Sequence, residues 1–288
     1  MLYPIKRTGN GTTEEYVERK YAILTTGDRL EYLTFPLLEE TGIVSHLFTT
    51  RLGGVSEGEF ATMNLSFTRG DREEAVAENY RRIAEVLGCK REDMTASHQT
   101  HTTNVRRVTS ADKGKGIVRP RDYENIDGLV TDEPGIALTT YYADCVPLYF
   151  VDPVKHAIGL AHSGWRGTVQ GMGEHMVKVM EKEFGSAGSE LKAAIGPSIC
   201  RDCYEVSEEV AVSFMEKFGI EVVTKGKREE KYQLDLWLAN RLLLERAGLK
   251  RENIAVTDIC TCHNSSYLFS HRASGGRRGN MAAFLMLK

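Results

Sequence analysis

The clearest helical pattern in the chain runs from Glu73 to Leu87. Apolar side chains recur there at intervals of three and four residues, which places them on one face of an amphipathic helix. Gly88 follows as a typical C-terminal stop. Similar patterns predict three further helices, over 168–184, 206–218 and 235–247.

Short apolar runs predict strands over 44–50, 136–142, 146–151, 157–161, 191–195, 254–259, 267–270 and 281–287. Several of these strands follow one another directly. We therefore predict an α/β (α+β) fold in which mixed central β-sheets are flanked by helices. No shift in composition marks a boundary, so we expect a single layered domain over 1–288, with 1–40 as an N-terminal strand extension.

Composition and charge narrow the functional class. The 288 residues are 41% hydrophobic and carry a net charge of -3, which argues against binding of nucleic acid or of a membrane surface. No apolar run approaches the roughly 20 residues that cross a bilayer. The first ten residues lack the apolar centre of a secretory signal. We therefore expect a cytoplasmic protein whose six cysteines are reduced.

Candidate chemistry lies in two short segments on either side of an apolar strand. Cys145 lies in Ala143-Asp144-Cys145-Val146-Pro147, and His162 opens His162-Ser163-Gly164-Trp165-Arg166-Gly167-Thr168. With His101 upstream, they form the set of three ligands that catalytic zinc uses, with a fourth position open. A free cysteine is often only a small buried hydrophobe. Polar and turn-forming neighbours favour a site here, because catalytic groups concentrate at such strand ends.

Two arginine segments are candidates for binding an anion. Arg51 follows a predicted strand and precedes Gly53-Gly54, where a guanidinium and exposed backbone amides could hold a phosphate. Arg272, Arg277 and Arg278 lie in a glycine-rich segment that could close over an anionic substrate. A solvated arginine at a turn explains the first pattern equally well, and a basic surface loop is the more usual explanation of the second.

The remaining cysteines suggest other metal or redox sites. Cys200-Arg201-Asp202-Cys203 has the spacing of a redox or zinc pair, but the Pro197-Ser198-Ile199 that precedes it is not typical of a thioredoxin-like motif. We interpret these two residues as ordinary thiols. Cys260, Cys262 and His263 could bind a second metal, although their tight spacing at a strand end disfavours it.

Many segments, in order from about Leu47 to Leu287, resemble one bacterial family. The family carries the older label of multicopper polyphenol oxidase or laccase-domain protein, and its members are viewed as zinc-dependent purine nucleoside phosphorylases. The matching segments include Phe48 to Ser56, Met63-Asn64-Leu65, Gln99-Thr100-His101, Asp127 to Thr131, Ala143 to Pro147, His162 to Thr168, Ala194 to Ile199, Cys260-Thr261 and Phe269 to Arg272.

The resemblance implies a zinc ion held by His101, Cys145 and His162. It implies phosphorolysis of adenosine, inosine, guanosine and S-methyl-5'-thioadenosine to free base and ribose 1-phosphate, together with adenosine deamination in some members. The partners it implies are a purine nucleoside and phosphate, and Arg51, Asn64 and Arg272 are the candidate ligands for them. We add Asp144 to the catalytic candidates, either as a general acid and base or as the residue that orients a ligand histidine. The oligomeric state is left open.

Small departures from the family pattern occur at Thr102, Ser163 and His271, where glycine, alanine and tyrosine are usual. They leave the three zinc ligands intact and affect substrate preference. The copper-oxidase label fits the residues poorly, because a chain with eight histidines and no His-x-His pair cannot supply four copper sites. Copper could still enter the single site adventitiously, since it binds such ligands more tightly than zinc.

Two other functional classes are consistent with the same residues. Cys145 and His162 could form the nucleophile and base of a cysteine hydrolase or deamidase. A module that binds a metal or a nucleoside without catalysis is the third alternative. Metal content distinguishes a zinc-dependent phosphorylase from a cysteine hydrolase. Phosphate-dependent release of base would exclude the module without catalysis.

Overall fold

A computed structural model describes residues 4–8 and 16–288 of the chain. These residues form fifteen strands, which we number in chain order: β1 (Glu18–Ile23), β2 (Arg29–Thr34), β3 (Val44–Thr49), β4 (Met94–Ala96), β5 (Val105–Arg107), β6 (Gly128–Thr131), β7 (Ala137–Tyr142), β8 (Val146–Asp152), β9 (Ala157–Ser163), β10 (Lys192–Ile195), β11 (Glu205–Ser207), β12 (Val223–Lys225), β13 (Lys231–Leu234), β14 (Ile254–Val256) and β15 (Met281–Leu287). The same residues form seven α-helices: α1 (Pro36–Glu39), α2 (Glu73–Leu87), α3 (Trp165–Gln170), α4 (Met172–Phe184), α5 (Glu208–Phe218), α6 (Leu236–Arg246) and α7 (His271–Ser274).

Two six-stranded sheets form the centre of the fold. The first has the order β1-β2-β3-β15-β7-β4, and only its last pair is parallel. The second has the order β14-β10-β8-β9-β6-β5, with parallel pairs at both edges and antiparallel pairs between them. A small antiparallel sheet, β11-β13-β12, stands apart. The predicted mixed α/β class is therefore confirmed.

Three apolar clusters show how the layers stack. One cluster lies between the two large sheets and contains Phe48 and Tyr149. A second packs α2 against the first sheet through Ile83 and Phe284. The third packs α4, α5 and α6 against the second sheet. The resulting order is helix, sheet, sheet and helices, as the layered prediction requires. Among the described residues, none of the helices combines the length and the apolar character that crossing a membrane requires.

Several predicted elements have the predicted extent. Helix α2 and strand β15 match their patterns residue for residue, and β3, β7, β8 and β9 agree to within two residues at each end. Within the stretch predicted as an N-terminal strand extension, β1 and β2 form an antiparallel pair. Residues 1–3 and 9–15 of that extension lie outside the described residues.

Three predictions of secondary structure were wrong. The helix predicted over 168–184 is two helices, because Gly171 takes a φ of 87° and ends α3 with a left-handed cap. The helix predicted from Val206 begins only at Glu208, since 205–207 pairs with β13. The strand predicted over 267–270 is a turn in which Tyr267 and Leu268 both donate to the carbonyl of Asn264. Its apolar residues are buried without a neighbouring strand.

Candidate active site and metal centre

The three predicted metal ligands lie on segments that join the two large sheets. Cys145 lies between β7 of the first sheet and β8 of the second, and His101 lies between β4 and β5, which also belong to different sheets. His162 is on β9 of the second sheet. His101 and Asp144 have φ values of 67° and 90°, so sharp left-handed turns direct these two segments toward His162.

The side chains of His101, Cys145 and His162 converge. One ligand atom from each lies within 4.8 Å of the others, so the three could hold a metal ion. The two imidazole rings are 4.9 Å apart between centroids and nearly perpendicular, at 80°. Gly164 makes room for them, because a Cβ there would stand 3.0 Å from Cδ2 of His101 and 3.1 Å from Sγ of Cys145. Two imidazoles and a thiolate are a donor set that suits zinc.

Asp127 organises this group, although the sequence pattern did not single it out as a functional residue. Its Oδ1 lies 2.8 Å from Nδ1 of His162 and accepts the backbone N–H of His101. Its Oδ2 accepts the backbone N–H groups of Thr100 and Thr102 and the Thr102 hydroxyl. Burial raises the pKa of the Asp127 carboxyl, but the hydrogen bond to His162 outweighs this and lowers the pKa. An ionised Asp127 therefore fixes the His162 ring with Nε2 free for a metal.

Cys145 and His162 control each other's protonation. Burial raises the pKa of a thiol, but the adjoining His162 and His101 rings outweigh it and lower the pKa of Cys145 to about 6. Burial also disfavours a charged His162, yet the Cys145 sulfur and Asp127 raise the pKa of its imidazole to about 9. Without a bound metal these shifts favour a thiolate on Cys145 and a protonated ring on His162, and a metal at Nε2 would displace the proton of that nitrogen. Thiolate is the form of cysteine that binds metals and attacks electrophiles.

A cavity of about 400 Å³ opens beside these residues. His101, Cys145 and His162 line it, and so do three arginines, Arg69, Arg121 and Arg278. Aromatic wall comes from Phe67, Tyr141 and Tyr142. A volume of several hundred cubic ångströms is typical of small-molecule sites. The cavity therefore places a metal-binding group, positive charge and aromatic surface around one ligand-sized space.

Arg278 is the most exceptional of these arginines. Burial, and after it the charge of Arg69, lowers the pKa of its guanidinium to about 10. Its Nε is buried and has no hydrogen-bond partner among the described residues. Nη1 donates to the carbonyl of Gly279 and to the side chain of Asn280. A half-buried cation with an unused donor, next to a second cation, is an arrangement that an anion would stabilise.

The structure places the predicted ligands of substrate and phosphate around the cavity rather than in it. Arg51 donates to the carbonyls of Ala61 and Ser265 and lies 4.6 Å from the centroid of the Phe269 ring. It lines a neighbouring cavity of about 190 Å³ that shares Arg278 with the larger one.

Asn64 is fully buried, donates to Asp71 and accepts the backbone N–H of Asn280. It thus supports the chain beside Arg278. The Arg272 side chain donates to the carbonyls of Cys203 and Glu205. The phosphate roles predicted for Arg51, Asn64 and Arg272 stay predictions.

Asp144 contacts neither ligand histidine by a hydrogen bond. Its Oδ1 accepts the Thr261 hydroxyl at 2.6 Å, and its Oδ2 accepts the backbone N–H of Arg272 at 2.7 Å. It therefore links the turn that carries Cys145 to two later segments of the chain. Orientation of a histidine, one of the two roles considered for Asp144, belongs to Asp127 in the structure.

A second group of metal-ligand side chains forms where sequence reasoning treated two segments separately. Cys200, Cys203, Cys260 and His263 each place a ligand atom within 4.8 Å of the others. Within residues 4–8 and 16–288 only these two groups of three or more such side chains occur. A blue-copper site together with a three-copper cluster would need many more histidines than these two groups contain.

Comparisons with known proteins agree on one family. The sequence profile of the multi-copper polyphenol oxidoreductase laccase family matches residues 45–288. The purine nucleoside phosphorylase YlmD of Bacillus subtilis is 38% identical over 247 residues, which cover 84% of this chain and 87% of that protein. YlmD of Geobacillus stearothermophilus is 39% identical over 243 residues, or 82% of this chain and 88% of that one.

Solved structures extend the likeness to three dimensions. The crystal structure of Bacillus licheniformis hypothetical protein YfiH has a TM-score of 0.85 at 34% identity, and it covers 89% of this chain and 96% of its own. The crystal structure of YlmD from Geobacillus stearothermophilus has a TM-score of 0.82 at 36% identity, with the same coverage. Profile, sequence relatives and structures thus show that the chain belongs to the multi-copper polyphenol oxidoreductase laccase family, the family of YlmD and YfiH.

Proposed function

We propose that this protein is a zinc-dependent purine nucleoside phosphorylase. One observation carries the proposal: the metal-binding group His101, Cys145 and His162 and three arginines line the same cavity. A phosphorolytic site must hold an inorganic anion and a neutral nucleoside together. The relatives named purine nucleoside phosphorylase support the same activity.

Besides the metal-binding group, the residues that line the cavity have two tasks. Arg69, Arg121 and Arg278 would bind phosphate, because guanidinium groups match its oxygens in geometry and charge. Phe67 and Tyr141 would contact the base on the aromatic side of the cavity.

In the reaction a phosphate oxygen forms a bond to the anomeric carbon while the glycosidic C–N bond breaks. The electron pair of that bond goes to the base, which also takes up the proton that hydrogen phosphate loses. The other product is the 1-phosphate of the sugar, which is ribose 1-phosphate for adenosine, inosine and guanosine. Arginines that hold the phosphate next to the sugar supply the positioning, and their charge stabilises the transition state.

The metal site fits zinc on two observations: the donor set of two imidazoles and a thiolate, and the buried carboxylate of Asp127 behind His162. Bound zinc would supply a Lewis acid that polarises a phosphate oxygen or, for adenosine deamination, lowers the pKa of water. Asp127 holds His162 in one orientation, and its bonds to the backbone of residues 100–102 hold His101. These contacts preorganise the ligands before any substrate binds.

The test is release of free base from each candidate nucleoside, measured by chromatography with and without phosphate. We expect base and ribose 1-phosphate to appear in equal amounts, only with phosphate, and to fall after treatment with a chelator. Added zinc should restore them. Formation of inosine from adenosine without phosphate reports the deaminase activity separately. For variants that replace a ligand histidine with alanine, the matched control is His175→Ala, because His175 is exposed on α4. Release of base at the same rate with and without phosphate would refute phosphorolysis.

A cysteine hydrolase or deamidase is the second candidate. The lowered pKa of Cys145 and the raised pKa of His162 favour it, because a thiolate–imidazolium pair is the nucleophilic form of such enzymes. The two candidates respond oppositely to metal. A hydrolase would be fully active in a chelator and inactivated by iodoacetamide, whereas zinc bound to Cys145 would protect the thiolate and be required for activity.

A further inference from the structure

Four side chains that do not line the main cavity form a second compact group of possible metal ligands. Cys200 and Cys203 flank a short 3-10 turn, and Cys260 and His263 lie in a turn that follows β14. Cys200 and Cys260 are buried, and Cys203 and His263 are half-buried. All six cysteines of the chain are free thiols in the structure, so three of them stand here beside an imidazole.

The distances suit a tetrahedral ion. With Zn–S bonds of about 2.3 Å and Zn–N bonds of about 2.0 Å, tetrahedral ligand atoms are roughly 3.5–3.8 Å apart. Sγ of Cys200 lies 3.8 Å from Nδ1 of His263. The four ligand atoms all lie within 4.8 Å of one another, so small side-chain rotations bring them onto one centre.

The spacing along the chain is that of known structural zinc sites. Each half contributes two ligands separated by two residues, Cys200-x-x-Cys203 and Cys260-x-x-His263. Paired ligands two to four residues apart are the usual arrangement in zinc ribbons and fingers. The two halves meet because Ser198 and Cys260 form a parallel bridge between the chain segments.

Two backbone N–H groups donate to one of the three sulfurs, that of Cys260. The N–H of Cys200 donates to Sγ of Cys260 at 3.3 Å, and the N–H of His263 donates to the same sulfur. Side chains with positive charge also approach, since Arg272 donates to the carbonyl of Cys203 and Lys227 to that of Asp202. Three thiolates and a neutral imidazole around Zn²⁺ leave one negative charge, which these cations and N–H groups would stabilise.

We propose that Cys200, Cys203, Cys260 and His263 bind a second, structural zinc ion. Four protein ligands close its coordination shell, so the ion has no position for substrate and serves the fold. A disulfide would use two of the three sulfurs and leave the third sulfur and the imidazole without a common function. The inference rests on this group alone and stands whether or not the protein is a phosphorylase.

The second ion would stabilise the turn that carries Cys145, through two hydrogen bonds to Asp144. Thr261, inside the Cys260–His263 turn, donates its hydroxyl to Asp144, which directly precedes Cys145. Arg272, held by the carbonyl of Cys203, donates its backbone N–H to the same carboxylate. By joining the two turns, the ion would fix both donors to Asp144 and so the turn that presents Cys145.

Metal content per chain tests the proposal. Protein purified under reducing conditions should contain about two zinc ions by elemental analysis, Cys145→Ala and Cys203→Ser about one each, and the double variant none. Cys262→Ser lies in the same turn but outside the group, and Cys89→Ser lies far away, so both should keep two. A wild type with one ion that only Cys145→Ala removes would overturn the second site. A wild type with one ion that only Cys203→Ser removes would count against the zinc site at Cys145.

Two further variants guard against simple misfolding. His263→Cys replaces one zinc ligand with another and should retain the second ion, whereas His263→Ala should lose it. In a Cys145→Ala background, cobalt loaded into the protein should show tetrahedral visible bands and thiolate charge transfer that Cys203→Ser abolishes. Equal metal content in His263→Cys and His263→Ala, or an intact mass lower by two hydrogens in the protein purified without reductant, would refute the site.

Discussion

The variant Asp127→Asn tests how one buried carboxylate positions both histidines of the site. It keeps the shape of the side chain and replaces one oxygen with an NH2 group. Three donors, from Thr100 and Thr102, meet at Oδ2, so we expect the amide oxygen to take that position. The NH2 group then faces the backbone N–H of His101 and Nδ1 of His162, where Oδ1 was.

This exchange reverses the hydrogen bond at His162. An NH2 group can only donate to Nδ1, so the ring proton must move to Nε2, the nitrogen that would bind the metal. Loss of such a carboxylate partner typically lowers metal affinity 10- to 100-fold, or about 1.4–2.7 kcal/mol. The N–H of His101 also loses its acceptor, which should lower the free energy of unfolding by about 1–3 kcal/mol.

Zinc affinity is measured by competition with a chromogenic chelator, and stability by urea unfolding of the chelator-treated protein. Asp132→Asn is the matched control, because its carboxylate pairs with Arg107 at 3.0 Å on the surface. That variant should change both quantities very little. If Asp127→Asn binds zinc as tightly as the wild type and is equally stable, the orienting role of Asp127 is wrong.

Three further predictions address the ligands, the phosphate and the core. Cys145→Ala and His162→Ala should lose phosphorolysis yet keep the far-ultraviolet circular dichroism of the wild type, since the apolar clusters do not depend on the metal; unfolding of both variants at room temperature would make the site structural. Arg278→Ala should raise the KM for phosphate about 10- to 100-fold with little change for nucleoside, because it removes charge-assisted hydrogen bonds. Arg51→Ala in the same assay tests the sequence-based assignment, and an equal rise would extend the phosphate site to the neighbouring cavity. Burial lowers the pKa of His46 to about 4, below its ordinary 6.5. The neutral ring therefore contributes about 3 kcal/mol to the free energy of unfolding above pH 6.5, and this contribution is lost as the pH falls toward 4. Urea unfolding across that range should show a smaller pH dependence in His46→Gln, and an unchanged pH dependence would refute the lowered pKa of His46.

The residues that converge at the candidate metal site were predictable because their signals are local. Cys145 and His162 each lie among small, polar and turn-forming residues at strand ends, and such neighbours are visible in a short window of sequence. His101 was the third candidate ligand in the sequence, and the family resemblance implied the same residue. Helix α2 and strand β15 were predictable for the same reason. The helix shows a periodic apolar pattern that ends at Gly88, and the strand is a continuous apolar run, so both are visible without knowledge of distant contacts.

The rest of the site depends on contacts that no local pattern shows. Asp127 reaches His162 across 35 residues through the pairing of β6 with β9. Arg69 and Arg121 come from irregular segments that only the fold brings to the cavity. Cys200 and Cys260 are sixty residues apart and meet through a bridge outside the named strands.

Two of the three predicted metal ligands lie on connections that leave one large sheet and enter the other. This position has a consequence for how the protein tolerates substitutions. The distance between the ligands depends on how the two sheets pack face to face, for example where Tyr142 of the first sheet donates its hydroxyl to the carbonyl of Ala161 in the second. A substitution that alters the spacing of these faces displaces Cys145 and His101 relative to His162. In a mutational scan, such interior positions should therefore show strong epistasis with the catalytic residues. Pairs of compensating volume changes between the sheets should restore turnover where either change alone abolishes it.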